Sequence, residues 1–137
     1  MIRRLKREEI PIIAEHYQKR MGREFKKVGE KPITKERYEK ILRGNFENSF
    51  MFVFEDKGIK SFIWFVKEDN EINLEEIFSI EKGKEYGKKL MNFLLDFSKK
   101  EKTKKINIDV HFKNEEALNF FKKLGFTERT VELSLDI

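Results

Sequence analysis

Three β-prone runs stand close together in the middle of the chain, joined by two short polar turns. Phe50-Met51-Phe52-Val53-Phe54 is followed by Glu55-Asp56-Lys57-Gly58, a turn with glycine at its end. Ile59 to Val66, with Phe62, Ile63, Trp64 and Phe65, is the second run, and Lys67-Glu68-Asp69-Asn70 is the second turn. Ile72 to Ile80 is the third. Connections this short admit only antiparallel neighbours, so the spacing predicts a three-stranded meander.

The flanking segments are different. Before the meander, residues 2–5 form a short strand and 8–20 a helix, with Ile12, Ile13, Tyr17 and Met21 near helical spacing. Gly22 and Gly29 interrupt that pattern, so 22–33 reads as loop. Thr34 is an N-cap for a second helix that runs to about Phe46, with Arg37 where a full capping box would have Glu. After the meander, helix and strand alternate. Residues 84–101 carry a wide apolar helical face (Leu90, Met91, Leu94, Leu95, Phe97). Ile106, Ile108 and Val110 alternate with Asn107, Asp109 and His111 as a half-buried strand. Asn114 to Leu124 is helical, Gly125 caps it, and Val131, Leu133, Leu135 and Ile137 alternate as a last strand. The order is β-α-α-β-β-β-α-β-α-β. It describes an α+β (mixed α/β) fold: a six- to seven-stranded, mixed but mostly antiparallel sheet with four helices. The crossover between residues 80 and 106 makes one strand pair parallel.

At 137 residues, the chain has the size of one domain, 1–137. Charged residues (40%) outnumber a 39% apolar share, yet the 14 Phe make each buried residue large enough for a core. The net charge of +5 is spread over a mixed surface, which suits an anionic ligand and is a weak signal for nucleic acid. Cys is absent, which removes disulfides, thiol nucleophiles and Cys-based metal sites. Neither His16 nor His111 has a partner at metal-ligand spacing, so no metal is expected. No run approaches the ~18 apolar residues of a membrane span, and the start lacks a signal-peptide core; a cytoplasmic protein without membrane contact is expected.

Two segments carry chemistry. In Phe78-Ser79-Ile80-Glu81-Lys82-Gly83-Lys84-Glu85-Tyr86-Gly87-Lys88-Lys89, a strand runs through a glycine-containing loop into a helix start. Free N–H groups and the helix dipole make such a junction an anion site, and four lysines against two glutamates leave it locally positive. The second segment is Asn114-Glu115-Glu116-Ala117-Leu118-Asn119-Phe120-Phe121-Lys122-Lys123-Leu124-Gly125-Phe126.

Together they resemble the GNAT superfamily of acetyl-CoA-dependent N-acetyltransferases over about residues 50–130. The family's phosphate loop, Arg/Gln-x-x-Gly-x-Gly/Ala, falls on Lys82 to Gly87: the final Gly matches, Lys82 replaces Arg or Gln, and Glu85 replaces the first Gly. The later signature, Asn-x-x-Ala-x-x-Phe-Tyr-x-x-x-Gly-Phe, matches at Asn114, Ala117, Phe120, Gly125 and Phe126, with Phe121 in place of Tyr.

The resemblance implies acetyl-CoA as cosubstrate and direct attack of a primary amine (a protein N-terminus, a lysine or a small amine) on the thioester. It implies a bulge in the third meander strand, which splays from the next strand so that pantetheine lies in the gap. Phe78, Ser79 and Ile80 would offer backbone groups to it, and the N–H groups of 83–88 (Gly83, Lys84, Glu85, Tyr86, Gly87 and Lys88) would hold the pyrophosphate beside Lys82. Asn114 would reach the pantetheine, and Phe120 and Phe121 would flank the CoA arm. Glu85 sets a carboxylate beside the diphosphate, and Phe121 lacks the hydroxyl that protonates the leaving thiolate in many relatives.

Many family members use a Glu on the third meander strand as base. Glu75 and Glu76 stand there, pointing to opposite faces unless a bulge intervenes, and Glu75 is slightly preferred. Tyr17 and Tyr38 read as core aromatics of the helices that roof the acceptor site in this fold. The alternative is a CoA-binding or regulatory module of this fold with little or no turnover. A homodimer is compatible with the family.

Overall fold

In a computed structural model, which describes residues 1–31, 33–81 and 83–137, the order is β1 (Ile2–Arg4), a 3-10 turn (Arg7–Glu9), α1 (Ile10–Val28), α2 (Lys35–Asn45), β2 (Phe50–Glu55), β3 (Ile59–Glu68), β4 (Glu71–Ser79), α3 (Tyr86–Lys100), β5 (Lys105–Ile108) and α4 (Glu115–Lys123). The strands form one sheet in the order β1-β2-β3-β4-β5. β1 to β4 are antiparallel in turn, and β5 lies parallel to β4, the crossover running through α3. This is the expected mixed α+β sheet with four helices.

Alternation along the central strands, interrupted once in β4, divides the apolar residues between two faces. Met51, Val53, Phe62, Trp64 and Phe78 pack with Ile10, Ile13, Tyr38 and Leu42 of α1 and α2. Ile63, Phe65, Ile72, Leu74 and Ile77 pack with Leu90, Met91, Leu94 and Phe121 of α3 and α4. A strand covered on both faces has no polar side, which is why Ser61-Phe62-Ile63-Trp64-Phe65 is buried without a break.

Two expectations fail. Residues 22–28 are helix rather than loop: α1 runs through Gly22 to Val28. A helical Gly costs only about 1 kcal/mol relative to Ala, too little to end a helix by itself. The stripe Ile13, Tyr17, Met21, Phe25 keeps its phase across Gly22. The real stop is Gly29, at φ +79°, where Gly29 N–H donates to the Phe25 carbonyl. The last strand also fails to form. Residues 131–137 are exposed and join no sheet, so the described sheet has five strands instead of six or seven. Alternation creates a face to bury, but a strand also needs a partner ladder.

Among the described residues, no helix is long and apolar enough to cross a membrane.

Candidate active site

The sheet opens where β4 and β5 part. Their pairing runs from Glu71↔Lys105 to Leu74↔Ile108 and stops, while β4 continues to Ser79. At the same level β4 carries a bulge on its other side. Trp64 pairs with Glu76 and Phe65 with Leu74, so Glu75 is passed over. Ile80 N–H donates to the Lys60 carbonyl at 2.8 Å. Antiparallel alternation then turns the N–H groups of Ile77 and Ser79 away from β3, toward the open side.

The bulge separates the two glutamates. Glu75 is exposed, and its carboxyl is raised above the usual range by partial burial and by the charges of Asp109 and Glu68. The Glu76 side chain is only 14% exposed and lies under α1. Its Oε1 accepts the Ile77 N–H at 3.0 Å and lies 3.8 Å from Arg20 Nε. Burial pushes its carboxyl up to about 7, against the opposing pull of Arg20 and the Ile77 N–H. The environment thus poises one carboxylate near neutrality.

Tyr17 and Tyr38 roof this point. Their rings stack at 4.4 Å, and Tyr17 also meets Phe78 at 5.9 Å. Burial and the Glu76 charge hold the Tyr17 phenol far above its ordinary value and push Tyr38 up to about 12. Both hydroxyls therefore stay protonated. The Tyr38 hydroxyl is buried without a hydrogen-bond partner, as is Arg20 Nε. Buried polar atoms left unpaired are uncommon, and here two converge beside one carboxylate.

A cleft of about 280 Å³ runs from this point between α1 and the end of β4. Phe78, Ser79 and Ile80 form one wall, and His16, Lys19, Arg20 and Arg23 form the other. Those four stand at i, i+3, i+4 and i+7, which places them on one face of α1. Their spacing is visible in the sequence, but a helix ending near residue 20 leaves Arg23 off that face. Partial burial and Lys19 lower the His16 pKa.

Past Ser79 the chain turns into α3. Gly83 has φ +87°, and Glu85 caps α3 at φ +55° without a capping bond from its side chain. Lys89 N–H closes the first helical bond to Glu85. The N–H groups of Tyr86, Gly87 and Lys88 precede it and have no partner within the helix. Gly87 sits against β4, and a Cβ there would lie 3.5 Å from Ser79 Oγ. Lys84 and Lys88 are exposed beside this turn, whereas Tyr86 is buried. Lys82 lies outside the described residues.

On the far side of the opening, Asn114 caps α4. Its Oδ1 accepts the Ala117 N–H at 3.2 Å, and its Nδ2 donates to Glu24 of α1. The Asn114 side chain therefore joins α1 to α4 across the opening. Phe120 is half-buried, and Phe121 is buried against Phe120 and Phe126. His111 is exposed, accepts the Lys113 N–H at 3.1 Å and stacks on Phe112, away from the Glu76 cluster. Among the described residues, no group of three or more His, Cys, Asp or Glu could hold a metal ion.

Residues 14–126 match the Acetyltransferase (GNAT) family, and the chain belongs to it. Solved structures agree on the fold. A mutant of the BH1408 protein from Bacillus halodurans superposes with a TM-score of 0.77 at 20% identity, over 98% of this chain and 99% of that one. PaiA N-acetyltransferase from Thermoplasma acidophilum, in complex with coenzyme A, gives 0.77 at 18% identity, over 96% and 92%. An acetyltransferase from Trypanosoma brucei gives 0.67 at 17% identity, over 100% and 99%. Among curated proteins, no sequence match reaches significance.

Proposed function

We propose that the chain transfers the acetyl group of acetyl-CoA to a primary amine, with Glu76 as the proton acceptor. The observation that carries this reading is the coincidence of an open sheet edge with a buried carboxylate poised near 7. The pantetheine arm lies in the gap beyond Leu74 and Ile108, hydrogen-bonding to β4 like an added strand. The diphosphate rests on the free N–H groups at the start of α3, where the helix dipole favours an anion. The cationic wall of α1 adds attraction for that anion and disfavours a polycationic acceptor.

Ile77 N–H already holds Glu76, which leaves Ser79 N–H facing the gap for the thioester oxygen. The acceptor enters beneath Tyr17 and Tyr38. Its amine must be neutral to attack, and amines with pKa ~8–10 are mostly protonated at pH 7. Glu76 takes the proton as the C–N bond forms, and the tetrahedral oxyanion is held by the backbone donor. Collapse breaks the C–S bond. A thiolate of pKa ~8.5 leaves without obligatory protonation, so Phe121 in place of a tyrosine is no obstacle.

Calorimetric titration with acetyl-CoA and CoA tests the donor site. Amine-dependent thiol release tests turnover, and the absence of Cys gives that assay no background from the protein. Binding of acetyl-CoA without thiol release across a panel of amines supports a non-catalytic CoA module instead. No binding of either ligand defeats both readings.

A further inference from the structure

The cleft beside Glu76 carries more positive charge than the neighbouring carboxylates answer. Lys19, Arg20 and Arg23 line it from α1, together with His16. Two carboxylates of the same helix are already engaged. Glu15 stands 3.5 Å from Lys19, and Glu24 accepts Nδ2 of Asn114. Arg23 is exposed and, among the described residues, holds neither an ion pair nor a hydrogen bond. Arg20 is one-third exposed at its side chain and opens on the cleft, while its Nε is buried without a partner. A guanidinium keeps its charge at every accessible pH and offers five donors. Glu76, at 3.8 Å from Nε, accepts none of them.

Arg20 also fixes where an anion would lie. It touches both the cleft and the carboxylate that takes the proton, so an anion on Arg20 sits a few ångströms from the reacting amine. Phe78 of the cleft belongs to the core on the α1/α2 side of the sheet. α3, whose start holds the diphosphate, packs on the opposite face through Leu90, Met91 and Leu94. The cleft volume of about 280 Å³ is near the lower end of ligand pockets, about 300 Å³ upward, which suits a small molecule.

We infer that the acceptor is an anionic primary amine, an amino acid or the phosphate ester of an amino alcohol, whose carboxylate or phosphate sits between Arg20 and Arg23 while its amine faces Glu76. This rests on the acetyl-transfer reading of the site. Arg20 and Arg23 are i, i+3 neighbours, so two guanidinium groups approach one anion from adjacent positions on the helix. The same charges that repel a polyamine then select a substrate.

Matched amines test this: an amino acid beside its carboxamide and its decarboxylated amine, and phosphoethanolamine beside ethanolamine. Each is followed by thiol release and by calorimetric titration into the CoA-loaded protein. The anionic member of a set should show a KM lower by about ten- to hundredfold, the scale of a charged hydrogen bond. The two sets distinguish carboxylate from phosphate. Arg23→Gln should raise the anionic member's KM by roughly tenfold with kcat kept, and Arg23→Lys should restore part of the loss. The Kd for acetyl-CoA should move by less than about twofold at 0.15 M salt, where screening acts over about 8 Å. Neutral amines that bind and react as well as their anionic partners overturn the proposal and leave acetyl transfer standing. So does an Arg23→Gln loss that falls on acetyl-CoA, which assigns the wall to the donor phosphates. Anionic amines that bind through Arg23 without thiol release support the anion subsite and defeat the transfer reading. The panel on the unmodified chain decides the matter even where a variant fails to fold.

Discussion

Arg20 Nε lies 3.8 Å from Glu76 Oε1 and holds no hydrogen bond, so the two form a partly buried ion pair that stops short of a hydrogen bond. Burial raises the Glu76 carboxyl, and Arg20 limits the rise, leaving it at about 7. With an acceptor whose own pKa is far from 7, kcat/KM should climb with pH and level off just above neutrality. Glu76→Gln should lower the rate by about 10²–10⁴-fold and erase that limb. Arg20→Met should move the limb to higher pH, since the remaining forces favour the neutral acid. A Glu76→Gln variant that keeps the same profile removes Glu76 from the chemistry.

The same group makes stability depend on pH, with a definite sign. Its folded pKa lies above its ordinary 4.5, so its contribution is intact below about 4.5 and is lost as pH rises through about 7. That displacement corresponds to about 3 kcal/mol. Glu76→Gln should therefore match the parent near pH 4 and exceed it by roughly 2–3 kcal/mol at pH 8 in denaturant unfolding. A constant difference between the two across this range contradicts the buried-acid description.

Glu85 departs from the family loop, and the backbone explains what is lost. It holds φ +55°, a left-handed conformation that glycine adopts freely and other residues adopt at about 1–2 kcal/mol. Its carboxylate also stands at a helix start whose free N–H groups favour anions. Glu85→Gly keeps the backbone, relieves the φ strain and removes a carboxylate that competes with the diphosphate for those N–H groups. It should tighten acetyl-CoA binding by roughly three- to tenfold at low salt, with a smaller gain at high salt, read by calorimetry. Unchanged affinity at low salt places the diphosphate elsewhere.

Much of the fold is legible in the sequence. Turns as short as 56–58 and 69–70 force the meander, and burial on both faces gives the unbroken apolar run of β3. The splay is implied by the resemblance, and the end of pairing at Leu74↔Ile108 agrees with it. What stays hidden depends on tertiary contacts. Parity along a strand assigns adjacent glutamates to opposite faces, but it cannot locate the bulge that sets Glu76 under α1. Gly22 looks like a breaker until α1 is seen to run through it to Val28, and only that longer helix brings Arg23 into line with His16, Lys19 and Arg20. The alternation at 131–137 shows a face to be covered without showing what covers it.

Tyr38 offers a test of whether stability is given up for function. Its ring stacks on Tyr17, while its hydroxyl is buried with no partner. An unsatisfied buried hydroxyl costs about 1–3 kcal/mol, so Tyr38→Phe should keep the stacking and raise stability by roughly 1 kcal/mol in thermal or denaturant unfolding. Where the hydroxyl serves to hold the acceptor, the same variant should raise KM for the amine several-fold and leave the Kd for acetyl-CoA unchanged. A variant that is both more stable and equally active assigns the hydroxyl no role in acceptor binding. Loss of acetyl-CoA affinity instead moves Tyr38 to the donor side of the cleft.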